Sequence, residues 1–211
     1  MLPRATASSP DPRPRPRLRL WVISFAAIWL CGVVSGLWVL WAYDNRPGAA
    51  ANARAHWPSG GVLTRSATEP TLVFFAHPQC TCTRASLDEL AEVLARTKAY
   101  PKTYVMFLKP SSVKDGWEHT DLWKQAAALP NVRVLRDEDG AEARRFGVET
   151  SGQTFLYDGN GALVFSGGIT GSRGHAGENA GERALVALLS HGQPERRGTS
   201  VFGCPLFATA D

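Results

Sequence analysis

The sequence predicts an α/β domain, a mixed sheet flanked by helices, preceded by one transmembrane helix. Short apolar runs alternate with segments of helical periodicity over residues 62–190, which is typical of strands covered by helices. An uncharged run near the N-terminus predicts the membrane helix. With 211 residues, the chain is long enough for one such domain and its terminal extensions.

The uncharged run, residues 20–43, is long enough to cross a hydrocarbon core of about 30 Å. It is longer than the apolar region of a cleaved signal peptide, and the Ala-x-Ala stretch at residues 51–53 lies well beyond its end. We therefore expect a retained anchor. Residues 1–19, rich in Pro and Arg, predict a disordered basic tail. The positive-inside rule puts this tail in the cytoplasm and the domain outside.

The charge distribution argues against a nucleic-acid partner. The formal net charge is +4, from 23 basic and 19 acidic residues. Five of the arginines and one acid, Asp11, precede the apolar run, so 18 basic and 18 acidic residues remain. A domain with balanced charge lacks the basic surface that binds phosphate backbones.

The elements of the domain follow in order along the chain. Residues 44–61, rich in Ala, Gly, Pro and Asn, predict a tether between membrane and domain. The apolar run TLVFFA at residues 71–76 predicts a strand buried on both faces, and Leu87, Leu90 and Leu94 share one face of a following helix. Two further strands are predicted at residues 103–108 and 132–135, and a hairpin is predicted to turn at residues 158–161. Three further helices are predicted: one at 117–128, a short one that follows residues 137–140 and ends near 147, and one at 182–189.

Three cysteines lie outside the apolar run. Cys80 and Cys82 stand where the first strand gives way to its helix, and Cys204 lies in a terminal tail, residues 191–211. Cys31, inside the run, reads as a small packing residue. An odd number of cysteines in an oxidising compartment means that at least one is unpaired, bound to metal or exchanging partners.

The position of the Cys80/Cys82 pair predicts redox chemistry. Unpaired N–H groups and the positive end of the helix dipole stabilise a thiolate at the first turn, so the cysteine pKa falls there. A disulfide between Cys80 and Cys82 would close a very small ring, and strain of that kind raises the reduction potential. Cys204 is a further candidate, as a resolving thiol or a permanent partner, because Val201, Phe202, Leu206 and Phe207 around it are apolar and favour docking of the tail.

The same side chains permit an alternative. Cys80, Cys82 and Cys204, together with His77 or His175, form a set suited to copper(I) or zinc. The protein would then be a metal carrier or assembly factor that supplies a partner metalloprotein. A third interpretation is a structural assembly module with a degenerate site.

Five stretches carry a resemblance to a known family: HPQCTCTRAS, TDLWKQAAALP, residues 137–147, FSGGITGSRGH and the terminal VFGCPLF. With the order of elements over roughly residues 60–190, they resemble the thioredoxin-like superfamily, in particular the membrane-anchored extracytoplasmic type of bacteria, and most closely its RedB-type members. The chain departs from the thioredoxin pattern twice. It carries Cys-x-Cys where thioredoxins carry Cys-x-x-Cys, and Gly152 stands where the family has a cis-proline.

The resemblance implies a single-pass protein of the bacterial inner membrane whose periplasmic domain exchanges disulfides with a protein thiol or disulfide partner and needs no cofactor. Cys80 is the predicted attacking thiolate, because the first cysteine of the pair is usually the more exposed in this fold. Cys82 and Cys204 compete for the resolving role. The runner-up function is the copper or zinc carrier.

Overall fold

The structure of the protein, a computed structural model, describes residues 16–97, 100–190, 193–194 and 196–207, with side chains from Arg19 onward. The chain divides into two compact units, one ending at Ala42 and one beginning at Tyr43.

The first unit is built on helix α1, Pro16–Asp44. Its apolar side chains are exposed all round, as in Trp21 with 77% of its surface accessible. A helix that is apolar on every face needs an apolar environment. The 26 residues Arg19–Asp44 are long and apolar enough to cross a membrane, so the predicted apolar helix is present as a candidate membrane span. Residues 16–19, predicted to be disordered, are helical, and the rest of that predicted tail lies outside the described residues.

The second unit is organised around a five-stranded mixed sheet with the order β3-β2-β1-β4-β5. Strands β1 and β2 are parallel, as are β2 and β3, whereas β4 runs antiparallel to β1 and β5 antiparallel to β4. Central strand β1 is buried along its whole length, as its continuous apolar sequence predicts. The strands are β1 Thr71–Ala76, β2 Lys102–Lys109, β3 Val132–Glu138, β4 Thr154–Tyr157 and β5 Leu163–Gly167.

Helices cover both faces of the sheet, because successive side chains of β1 point to opposite sides. Leu72 and Phe74 pack with the apolar faces of α2, α3 and α5. Val73 and Phe75 pack on the other face with α4. The helices are α2 Thr81–Arg96, α3 Asp121–Ala127, α4 Ala141–Phe146 and α5 Ala180–Ser190.

Residues 44–61, predicted to be a tether, pack along the domain instead. The Asn52 N–H donates to the Gly147 carbonyl at 2.8 Å, and the Trp57 N–H donates to the Gly161 carbonyl at 2.8 Å. The Trp57 ring meets Phe146 and Tyr157 edge-on, with centroids 5.3 Å apart in each case. Helix α4 has only six residues and leaves part of its sheet face open. The segment covers that area, so the domain begins before residue 62.

This packing predicts that Trp57 contributes to stability. Trp57→Ala should lower the free energy of unfolding of the domain by about 2–3 kcal/mol, since the aromatic contacts are lost and a cavity remains. Chemical denaturation followed by circular dichroism measures the change. Val62→Ala is the matched control, because Val62 is 73% exposed, and its effect should stay within about 0.5 kcal/mol. Equal, small effects of the two substitutions would show that the segment is not part of the folded domain.

Candidate functional site

The junction of β1 and α2 presents Cys80 and Cys82 as the sequence predicts. Cys80 is the residue before the first turn of α2, with φ −86° and ψ 116°, and its carbonyl accepts the Thr83 N–H at 3.0 Å. Cys82 lies within the first turn. Both are buried, Cys80 with 2% and Cys82 with 9% of the surface exposed, so the expectation that Cys80 is the more exposed of the pair is wrong. A thiolate at Cys80 therefore faces the unpaired N–H groups of the helix start.

The terminal tail brings Cys204 to this junction. The Sγ atoms of Cys80 and Cys204 lie 2.9 Å apart. None of the four cysteines forms a disulfide in this structure. A residue distant in sequence is thus in direct contact with Cys80, and Cys82 also interacts with the Cys80 thiol.

The tail is held by backbone hydrogen bonds of antiparallel type. The Ser151 N–H donates to the Cys204 carbonyl at 2.8 Å, and the Leu206 N–H donates to the Glu149 carbonyl at 2.8 Å. Val201 and Leu206 are buried, with 4% and 5% of their surfaces exposed. The predicted docking of the tail onto the domain is confirmed.

Electrostatics separate the three thiols. Burial alone would raise the pKa of Cys80, but hydrogen bonds with Cys204 and Thr83 stabilise its thiolate and bring the pKa below the ordinary value. Burial and the neighbouring Cys80 raise the pKa of Cys82. Burial, the hydrogen bond with Cys80 and its charge raise the pKa of Cys204 to about 12. Of the three thiols, Cys80 is therefore the one on which a negative charge is most favourable.

Three residues that were not predicted from the sequence support the cysteine site. The Thr83 and Ser151 hydroxyl groups are 2.9 Å apart, and the Ser151 hydroxyl also accepts the His77 N–H at 2.8 Å. The Arg173 guanidinium donates to the Gly203 carbonyl at 2.6 Å. Its positive charge partly opposes the rise in the pKa values of Cys82 and Cys204. The position of Thr83 could have been predicted, because the side chain of the third residue of a helix can reach back to the residue that precedes the helix, here Cys80. No local sequence pattern indicates Ser151 or Arg173.

Gly152 precedes β4 as predicted, and its backbone differs from that of a proline. Its φ is +92°, a value closed to proline, whose ring holds φ near −65°. Its N–H donates to the Phe75 carbonyl at 2.8 Å, which joins this loop to the end of β1. The part of the chain that the structure describes contains no cis peptide bond.

The two candidate metal-binding histidines have other contacts. His77 Nδ1 accepts the Gln79 N–H at 3.1 Å, and the ring packs edge-on against Trp117. Burial lowers the pKa of His77. His175 is exposed, and its Nδ1 donates to the Arg173 carbonyl at 2.7 Å. Among the described residues, no group of three or more His, Cys, Asp or Glu side chains is arranged to hold a metal ion.

A cleft of about 410 Å³ opens beside Cys80. It lies between the start of α2 and the start of α3, and the Thr120 hydroxyl closes its base by donating to the Pro78 carbonyl at 3.0 Å. Exposed Arg84 and Asp121 give its rim both signs of charge. Cys80 lines this cleft, whereas Cys82 and Cys204 do not.

No protein-family model matches the chain, and no curated protein matches it. Among solved structures, it is similar to an uncharacterized conserved protein from Geobacillus kaustophilus, with 19% identity and a TM-score of 0.54 over 79% of this chain and 94% of that one. It is also similar to a hypothetical protein from Sinorhizobium meliloti, with 17% identity and a TM-score of 0.53 over 78% of this chain and all of the other.

A weaker similarity links the chain to a secreted Mycobacterium tuberculosis disulfide oxidoreductase, with 19% identity and a TM-score of 0.38 over 46% of this chain and 67% of that one. Similarities at these identities concern the fold alone. The sheet order β3-β2-β1-β4-β5 and the helices on both faces confirm the predicted fold class, a mixed sheet flanked by helices and preceded by one apolar helix.

The lowering effect of Thr83 on the pKa of Cys80 predicts a measurable shift. A thiol reacts with alkylating reagents only when deprotonated, so the rate at Cys80 rises as the pH passes through its pKa. We expect a midpoint below that of an ordinary cysteine in the parent protein. Thr83→Ala removes the hydroxyl and should move the midpoint upward. The rates are measured by mass spectrometry across a pH series.

Thr83→Ser is the matched control, because it keeps the hydroxyl group and should keep the low midpoint. A parent protein whose Cys80 titrates as an ordinary thiol would contradict the assignment of the thiolate to this residue.

Proposed function

We propose that this protein is a membrane-anchored thiol–disulfide oxidoreductase that acts outside the cytoplasm, with Cys80 as the attacking thiolate and Cys204 as the resolving thiol. The observation that carries the proposal is the 2.9 Å contact between the two sulfur atoms at the start of α2. Two thiols in contact, one with a lowered and one with a raised pKa, suit a pair that interconverts with a disulfide.

The first step forms a mixed disulfide. The Cys80 thiolate attacks one sulfur of the partner's disulfide, a Cys80–partner bond forms, and the partner's own S–S bond breaks. The electron pair leaves with the partner's second sulfur, which takes a proton from solvent. Cys80 becomes neutral in this step, so its charge no longer raises the pKa of Cys204.

The second step releases the partner. Cys204 loses its proton to solvent and attacks Cys80 Sγ, the Cys80–Cys204 bond forms, and the partner's first sulfur leaves as a thiolate that takes up a proton. The partner's disulfide has then gained two electrons and two protons, which two thiols of this protein have lost. The reverse sequence oxidises a partner dithiol.

Contact geometry favours Cys204 over Cys82 as the resolving thiol. Cys82 lies on the same helical turn that Cys80 begins, so a bond between them would require the small strained ring predicted from the sequence. Cys204 approaches from a separate segment and needs no rearrangement of α2 to meet Cys80. The proposal therefore replaces the Cys80–Cys82 pair with the Cys80–Cys204 pair.

The proposed location follows from α1 and the arginines that precede it. Lys and Arg before a membrane span are retained on the cytoplasmic side, which directs the chain after the span to the outside. That compartment permits disulfides to form and persist. A bacterial inner-membrane protein with a periplasmic domain satisfies both conditions.

The resolving role of Cys204 predicts a trapped intermediate. In cells that produce Cys204→Ser, Cys80 should accumulate in mixed disulfides with partner proteins, because the second step is blocked. Non-reducing gels should show these as bands of higher mass that disappear on reduction. Cys82→Ser should accumulate none, since it leaves the Cys80–Cys204 pair intact.

A double variant with both Cys80→Ser and Cys204→Ser is the control that assigns the bands to Cys80. Accumulation in Cys82→Ser and not in Cys204→Ser would transfer the resolving role to Cys82. The absence of mixed disulfides in every variant, with Cys80 unreactive toward small disulfides, would overturn the proposed function.

The proposed location predicts a topology that can be measured directly. A reporter enzyme that is active only outside the cytoplasm, fused after Asp211, should be active. The protein should also remain with the membrane after a carbonate wash. Release of the domain into the soluble fraction would show that the apolar helix is a cleaved signal sequence, and an inactive reporter would show the opposite orientation.

A further inference from the structure

The tail, residues 201–207, lies on the domain as a bound peptide would. Two backbone hydrogen bonds join it antiparallel to residues 149–151, and it points its cysteine at Cys80. We propose that the tail is a built-in peptide ligand: it covers the surface on which an extended, cysteine-containing peptide of the partner docks, and it must leave before the partner can bind. The inference rests on the proposed function and adds to it a partner chemistry and an autoinhibitory contact.

The main-chain contacts are independent of side-chain identity. The Ser151 N–H and the Glu149 carbonyl bond to backbone atoms of Cys204 and Leu206. Any extended chain can offer the same carbonyl and N–H to these positions, which is how strand addition binds peptides. Without the tail, the two groups of residues 149–151 would lack these partners. The surface is therefore competent to bind a second peptide once the tail has left.

Side chains of the tail indicate which peptide fits. Val201, three residues before Cys204, and Leu206, two residues after it, are buried in the domain. Phe207 lies against Gly140, and the Arg144 guanidinium stands 4.1 Å from the ring centroid. A partner peptide should accordingly carry apolar residues at the third position before and the second position after its reactive cysteine.

Gly203 restricts the position just before the cysteine. A Cβ atom at Gly203 would overlap the Ser151 carbonyl, so no larger residue fits the docked backbone. The Gly203 carbonyl accepts a hydrogen bond from Arg173 at 2.6 Å on its other side. The docked tail is held between these two groups, and the partner peptide is expected to carry glycine at the same place.

The segment before the tail supplies an anchor for a reversible exchange. The Ser166 N–H donates to the Arg197 carbonyl at 3.0 Å, and the Thr199 hydroxyl donates to the Gly168 carbonyl at 2.7 Å. These bonds can persist when residues 201–207 leave. A tail held so close has a high effective concentration at its site and competes strongly with any partner peptide.

The exchange couples docking to the redox cycle. In the Cys80–Cys204 disulfide the tail is bonded covalently over the surface, whereas in the dithiol it is held by noncovalent contacts and can leave. After the mixed disulfide has formed, return of the tail displaces the partner peptide and delivers Cys204 to Cys80 Sγ. Release of the partner and formation of the Cys80–Cys204 bond become one event, in which the partner's sulfur leaves Cys80 as a thiolate and takes up a proton.

Gly203→Ala tests the inference, since the added methyl group undocks the tail without adding charge. The full chain in detergent, carrying Cys31→Ala, Cys82→Ser and Cys204→Ser so that Cys80 is the one remaining thiol and only the first step is observed, is reacted with two disulfides of thionitrobenzoate. One is the peptide Val-Phe-Gly-Cys-Pro-Leu-Phe joined to thionitrobenzoate through its cysteine, and the other is the symmetric thionitrobenzoate disulfide. Both release the same coloured thiolate.

In each protein, the rate with the peptide disulfide is divided by the rate with the symmetric disulfide. This ratio should be about tenfold higher in Gly203→Ala than in the background protein, because the docked tail no longer competes with the peptide. The same peptide with Ser in place of Cys should inhibit that reaction. Gly171→Ala is the matched control, since a Cβ atom there meets only ordinary contacts, and it should leave the ratio unchanged. If Gly203→Ala does not fold, Leu206→Ala provides the same comparison.

The outcomes separate the two proposals. A Cys80 that reacts with the symmetric disulfide while Gly203→Ala and Leu206→Ala leave the peptide ratio unchanged overturns the built-in ligand and leaves the proposed function standing. A Cys80 that reacts with neither disulfide in any variant overturns the proposed function and the inference with it.

Discussion

The arrangement of the site depends on the hydrogen bonds of one buried residue, Ser151. Its N–H holds the carbonyl of Cys204, and its hydroxyl meets both the His77 N–H and the Thr83 hydroxyl. Ser151 thereby joins the terminal tail, the loop after β1 and the first turn of α2. Because buried polar groups require partners, these bonds specify one relative position of the three segments. That position brings the sulfur atoms of Cys80 and Cys204 into contact.

Contact between buried thiols has an electrostatic consequence. Two thiolates side by side in a medium of low polarity repel each other, so only one of them ionises readily. Cys80 accepts hydrogen bonds from Thr83 and Cys204 at the start of a helix, whereas burial and its charged neighbour keep Cys204 protonated. The environment therefore assigns different roles to two chemically identical groups, and the assignment changes when Cys80 enters a mixed disulfide.

Both ends of the domain complete the fold around this site. The Gly48 N–H donates to the Val201 carbonyl at 2.8 Å, and the Thr150 hydroxyl donates to the Ala49 carbonyl at 2.9 Å. The segment after the apolar helix and the terminal tail thus support each other beside residues 149–151. In the proposed cycle this contact is made and broken with the tail. Movement at the cysteine pair would then reach the segment that follows the apolar helix.

Local patterns in the sequence predict four features: the apolar helix, the buried strand β1, the hairpin, and the placement of Cys80 and Cys82 at a helix start. Each of these follows from periodicity or turn chemistry within a short window. The fold was needed to show that Cys204 touches Cys80, that Ser151 and Arg173 belong to the site, and that residues 44–61 pack on the domain. These contacts join residues far apart in the chain, and they depend on the sheet order and on which surfaces short helices leave open, so no local pattern encodes them.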